Sequence, residues 1–227
     1  MNAVSSAEIR ERHARLLDRL RDVAAANGQD PDRLQIVGIT KTHPLSVVRA
    51  AVGAGLTLLG ESRVQEAEPK IAENPDVEWH LVGRLQSNKA RRAVRAFAVI
   101  HSVDSSELLR RLDELAAEEA RGLRVLLQVN VSGEAAKAGF APDDLARLDP
   151  PHVASLTGLM TIARMGAGDD EARATFRQLR ELRDGLEDRF GQALPELSMG
   201  MSADAESAAA EGATLVRIGT ALFGPRA

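Results

Sequence analysis

Cysteine is absent from this chain of 227 residues, and so is tyrosine. The first absence excludes disulfides, thiolate metal sites and cysteine nucleophiles. The second removes a common general acid/base. Aromatic residues reach only 3%, too few to build the stacking platforms that hold single-stranded nucleic acid. The net charge of −4 points the same way, because nucleic-acid binders carry a basic face. No apolar run approaches the roughly 20 residues of a membrane span. The stretch from Met1 to Arg12 is too polar to read as a signal peptide. No His-Glu-x-x-His, P-loop or EF-hand pattern occurs, and His80 and His101 lack metal-like spacing to any carboxylate, so no metal is expected. The expectation is a cytoplasmic protein with no nucleic-acid or membrane partner. Lysine is scarce too, with four copies (Lys41, Lys70, Lys89, Lys137) against 25 arginines. Where arginine carries nearly all the positive charge, a retained lysine is a candidate for chemistry.

What is present is a regular alternation. Residues 6–26 place Ile9, Leu16, Leu17, Leu20 and Val23 at helical spacing, and Asn27-Gly28 and then Pro31 end the pattern. Strands are predicted at 34–40, 56–60, 77–83, 97–102, 123–131, 153–162, 195–200 and 213–218. Helices are predicted between them, at 45–54, 62–73, 87–96, 105–121, 142–148, 169–190 and 203–211. Near-continuous apolar strands such as Val125-Leu-Leu-Gln-Val-Asn-Val131 suit a parallel sheet covered on both faces. Eight such units close into a single (β/α)8 barrel over residues 1–227, with an extra N-terminal helix. An open doubly wound sheet is the alternative, but no Gly-x-Gly-x-x-Gly follows the first strand.

In a barrel, functional groups gather at the C-terminal ends of the strands. Lys41 leaves the first strand there, in Thr40-Lys-Thr-His-Pro44, and its amine is expected in the barrel mouth. A partly buried lysine amine attacks carbonyls to form a Schiff base. The alternative is a lysine that reaches past the strand end to solvent. The loops after the last two strands supply Gly200-Met-Ser202 and Gly219-Thr220, where barrels often bind phosphate. Ser202 is expected to open a helix, either as part of that site or simply as its N-cap. Arg217, two residues before Gly219, faces either a ligand acceptor or a structural carboxylate. His80 and His101 read as polar wall residues. Arg84-Leu-Gln-Ser-Asn-Lys89-Ala-Arg-Arg92 is a basic cluster, either a solvated face or an attractor of anions.

Six segments in order carry a resemblance that covers nearly the whole chain. They are Val37-Gly-Ile-Thr-Lys-Thr-His-Pro44, Leu59-Gly-Glu-Ser-Arg-Val-Gln-Glu66, Trp79-His-Leu-Val-Gly-Arg-Leu-Gln-Ser-Asn-Lys89, Gly158-Leu-Met160, Leu197-Ser-Met-Gly-Met-Ser202 and Val216-Arg-Ile-Gly-Thr-Ala-Leu-Phe-Gly224. With them the sequence resembles the YggS/PROSC family of pyridoxal 5'-phosphate (PLP) homeostasis proteins. The resemblance implies a PLP-binding barrel like the N-terminal domain of alanine racemase. It implies Lys41 as the Schiff-base lysine, Ser202, Gly219 and Thr220 as phosphate ligands, and Arg217 opposite the pyridine nitrogen. His80 and Met160, inside matching segments, join the expected cofactor-binding set. Ser62 also belongs to it, but here the chain departs from the family, which usually has Gly-Glu-Asn where this sequence has Gly60-Glu61-Ser62. The shorter serine loses the contact to the ring hydroxyl or bridges it by water. Lys89 and Lys137 match positions where the family commonly has lysine. Lys137 is either a second amine for PLP or a solvated loop lysine.

The residue inventory favours a carrier over an enzyme. An arginine at the pyridine nitrogen disfavours its protonation and weakens the electron sink that PLP enzymes use. Alanine racemases use a tyrosine from a second domain as one of two bases, and this chain contains none. The expected role is intracellular PLP homeostasis and supply to apo-enzymes, by a monomer without robust catalysis. A weak racemase-like enzyme and a Schiff-base aldolase for sugar phosphates remain as alternatives.

Overall fold

The computed structural model describes residues 4–134 and 137–225. It opens with α1 (Ser6–Ala26), started by a capping box in which the Ser5 side chain and Glu8 satisfy each other's backbone N–H groups. The helix buries Ile9, Leu16, Leu20 and Ala24, one face at helical spacing. Strands then alternate with helices: β1 (Gln35–Ile39), α2 (Leu45–Gly53), β2 (Leu58–Glu61), α3 (Val64–Glu73), β3 (Glu78–Leu81) and α4 (Ala90–Ala96). The second half continues with β4 (Val99–Val103), α5 (Ser106–Glu118), β5 (Arg124–Gln128), β6 (Ser155–Met160) and α6 (Asp169–Phe190). It ends with β7 (Glu196–Ser198), α7 (Ala205–Ala210), β8 (Leu215–Ile218) and a short α8 (Thr220–Phe223).

Each strand pairs in parallel with its sequence neighbours, and β8 returns to β1, so the sheet closes as an eight-stranded barrel. The alternation along each strand sorts residues into two cores. Val37, Ile39, Val99, Leu126, Met160 and Leu215 pack with one another inside the barrel. Strand residues on the other face, such as Ile36, Leu59, Trp79 and Val216, pack outward beneath the helices.

Two local expectations fail, and one short helix stands where none was predicted. Residues 142–148 form no α-helix but a 3-10 turn, Pro142–Arg147, with Leu145 as its one buried residue. Prolines at 142, 150 and 151 leave too short a span for α-helical bonding. The helix expected to open at Ser202 starts instead at Ala205, so Ser202 is not its N-cap. The short helix that Thr220 opens was not expected from its four residues.

Candidate functional site

The barrel register brings the two ends of the chain's chemistry together. In the β1–β8 pair Gly38 lies opposite Ile218. Lys41, three residues beyond Gly38, therefore emerges beside Gly219 and Thr220. The two loops touch as well, with the His43 ring meeting Phe223 edge-on at 5.7 Å between centroids.

Around this point lies a cavity of about 520 Å³ at the C-terminal end of the barrel. Lys41, Ser62, Ser202, Arg217, Gly219 and Thr220 all line it. Arg84 and Gln128 line it too, while Ile39, Val82 and Ile162 supply apolar wall. Three cationic side chains, Lys41, Arg84 and Arg217, thus face the cavity, with no carboxylate among its described lining residues. Such a wall favours an anionic ligand with an apolar body.

The turn that carries Lys41 is held from below. Thr40 donates its hydroxyl to Glu61 Oε1 at 2.6 Å, and its carbonyl accepts from Lys70 Nζ at 2.9 Å. Lys70 also pairs with Glu61 at 2.7 Å, and both side chains are buried. Burial pushes the Glu61 carboxyl upward, against the bonds from Lys70 and Thr40 that hold it down. Thr42 stands at φ 64°, a left-handed conformation that a β-branched residue adopts only under constraint. Its N–H is fixed by Glu66 Oε1 at 2.5 Å.

The opposite wall depends on a glycine. A Cβ on Gly83 would lie 2.3 Å from the Ser62 carbonyl oxygen, so the loops after β2 and β3 meet here only because Gly83 has no side chain.

Arg217 is buried below the mouth. It donates to Ser198 Oγ at 2.6 Å and to the Thr161 carbonyl at 2.9 Å, which leaves further guanidinium N–H groups for a ligand. Burial lowers its pKa to about 10, so it stays charged at neutral pH.

Two expected site residues fall elsewhere. Met160 is packed in the apolar barrel interior and does not line the cavity. His80 is buried below it, bonded to His101 and Glu78. Both sit on strands, inside the barrel, whereas the cavity wall is mostly drawn from strand ends and loops. Lys137 pairs with Glu134 and donates to the Ile162 carbonyl at 3.2 Å, at the cavity's edge. Lys89 lines a neighbouring recess with Arg63 and Arg84. The sequence reading missed Thr40, Glu61, Lys70 and Ser198 as supports of the site. Only the scarcity of lysine gave Lys70 any prominence.

The barrel and its cationic mouth define a class. A model of the family described as alanine racemase, N-terminal domain, matches residues 18–227. An alanine racemase from Clostridium difficile shares the fold at TM-score 0.69 and 15% identity, over 91% of this chain and 58% of its own. Nearer relatives carry a narrower name. A pyridoxal phosphate homeostasis protein from Pseudomonas aeruginosa is 45% identical over 96% of each chain. One from Aquifex aeolicus is 41% identical over 95% of this chain and 97% of its own. The structure of PipY from Synechococcus elongatus with PLP bound matches at TM-score 0.79 and 42% identity, over 90% of this chain and all of that one. The chain belongs to the family of pyridoxal phosphate homeostasis proteins.

Among the described residues, no helix is long and apolar enough to cross a membrane. Nor does any group of three or more His, Cys, Asp or Glu side chains stand ready for a metal ion.

Proposed function

We propose that this chain, as one domain and a cytoplasmic monomer, holds PLP in the barrel-mouth cavity and serves its homeostasis and supply to apo-enzymes. The observation that carries the reading is the cavity's donor set. An amine, a buried guanidinium and three hydroxyls (those of Ser62, Ser202 and Thr220) converge on one anion-favouring space beside a backbone glycine. The donor chemistry fits PLP, which presents a carbonyl, a ring nitrogen and a phosphate. When bound, PLP supplies an electrophilic carbonyl and an electron-withdrawing ring.

The chain's residues divide the work. Lys41 offers its amine to the carbonyl, on a turn that Glu61, Glu66 and Lys70 keep in place. Ser202 and Thr220 offer hydroxyls to the phosphate, and Gly219 lets the backbone come close. Arg217 offers a charged donor toward the ring nitrogen, fixed by Ser198 and Thr161. Ser62 closes the side wall near the ring. A charged donor at that nitrogen keeps it unprotonated, which suits retention better than carbanion chemistry. The naming of the relatives as homeostasis proteins supports the same preference.

The test is borohydride reduction of PLP-loaded protein, followed by peptide mass mapping. The adduct is expected on Lys41. An adduct found only on Lys137 or Lys89 would overturn the assignment.

A further inference from the structure

A line of side chains crosses the barrel from the cavity to its opposite end. Arg217 Nη1 donates to Ser198 Oγ at 2.6 Å. Ser198 Oγ lies 2.8 Å from His101 Nδ1, and His101 Nε2 lies 2.7 Å from His80 Nδ1. His80 Nε2 lies 2.9 Å from Glu78 Oε1, and Arg124 holds the other carboxylate oxygen at 2.5 Å. Glu78 and Arg124 begin β3 and β5, at the end of the barrel away from the mouth. Ser198 and His101 are fully buried and His80 nearly so, whereas Glu78 and Arg124 reach solvent.

The ends of this line dictate its middle. Arginine can only donate and a carboxylate can only accept. The bond from His80 holds the Glu78 carboxyl down at about 2, so it is ionised at neutral pH. Burial, with Arg217 adding to it, pushes His101 well below the ordinary histidine value, so His101 carries one ring proton. His80 Nε2 must then donate to Glu78. A His80 that carries only this proton accepts at Nδ1 from His101 Nε2–H. His101 Nδ1 in turn accepts the Ser198 hydroxyl proton, and the Ser198 lone pairs are left for Arg217. Every donor finds an acceptor, and all the bonds run one way, from guanidinium to carboxylate. With the proton of His101 on Nδ1 instead, Ser198 Oγ would accept twice, and its own proton would need an acceptor outside the line.

We propose that His101, acting through Ser198, is a positioning residue for Arg217, and that Glu78 sets the direction of the relay from the far end of the barrel. The relay turns the Ser198 lone pairs toward Arg217 and so keeps the guanidinium aimed at the cavity. This rests on the PLP reading only in naming what Arg217 then meets.

Nitrogen NMR of the ligand-free protein, at mildly alkaline pH, tests the relay without any cofactor. Both histidines are expected with the proton on Nε2; a proton on Nδ1 of His101 would overturn the proposal. Glu78→Gln, at the half-exposed end, probes its direction. Arg124 claims the amide oxygen, so the amide N–H faces His80 Nε2, and the His101 proton is expected to move to Nδ1. An unchanged His101 in this variant counts against control by Glu78. Ser198→Ala, nearly isosteric, probes positioning. It should weaken PLP and pyridoxal alike, by about tenfold, the value of one buried hydrogen bond. Ser198→Thr, which keeps the hydroxyl, should restore most of the affinity. Unchanged affinity in Ser198→Ala, or loss confined to PLP, would refute the positioning role. If the wild-type protein bound neither aldehyde, the PLP reading would fail, while the tautomers would still decide the relay.

Discussion

Lys70 and Glu61 form a buried ion pair at 2.7 Å directly beneath the turn that carries Lys41. The pair also bonds the hydroxyl and the carbonyl of Thr40, the residue before Lys41, so loss of either partner is felt at the amine. Breaking a buried pair leaves an uncompensated charge. Lys70→Met should therefore destabilise the protein by about 3–5 kcal/mol in urea unfolding. The double variant Glu61→Leu/Lys70→Met should be markedly less damaged, because no charge is stranded. Equal losses in the single and double variants would show that the pair does not matter as a pair.

Glu78 predicts an acid limb in the stability profile. Its folded pKa, about 2, lies below the ordinary 4.5. A depressed carboxylate contributes stability that is fully present above the unfolded value. It is lost as pH falls from about 4.5 toward 2. Glu78 is more than a third exposed, so screening limits the effect to roughly 1 kcal/mol. Glu78→Gln should flatten that part of the curve, measured as unfolding free energy across a pH series. An unaltered slope between pH 5 and 2, roughly the interval over which such a group titrates, would contradict it.

On the proposed reading, Thr220 separates phosphate recognition from ring recognition. Thr220→Val should weaken PLP by about 1–3 kcal/mol, since a charged ligand group loses a donor. Pyridoxal, which has no phosphate, should bind the variant as it binds the wild type. Titration with the two aldehydes in parallel makes the comparison, and equal losses would move the phosphate elsewhere.

Turnover with amino acids should be negligible. Arg217 stays charged near pH 7 and the chain has no tyrosine to act as a second base. Exchange of the alanine α-proton in heavy water, followed by NMR, should run far below the rate of about 1 per second that marks an ordinary enzyme. Robust exchange by the wild-type protein would restore the racemase alternative.

Gly83→Ala should impair the site without touching its chemistry. The new methyl would lie 2.3 Å from the Ser62 carbonyl oxygen, a backbone atom that cannot swing away. The expected cost is about 1–3 kcal/mol or more, with weaker PLP retention. A variant with wild-type melting and binding would show that the two loops can part freely.

The sequence by itself determined the alternation of strand and helix, and with it the closed barrel, because apolar patterning is local along the chain. It also determined where to look, since barrel chemistry lies at strand ends. Lys41, Ser202, Arg217, Gly219 and Thr220 were legible for that reason, and Ser62 through the family resemblance; all six line one cavity. Only the tertiary structure decided depth and partnership. His80 and Met160 sit inside the barrel rather than on the cavity wall because strand register sets the height at which an inward side chain lies. His101 and Ser198 are 97 residues apart and Thr40 and Lys70 are 30 apart. No local pattern pairs such residues. Barrel closure does, by forcing distant strands and one helix face to share a buried space in which each polar group needs a partner.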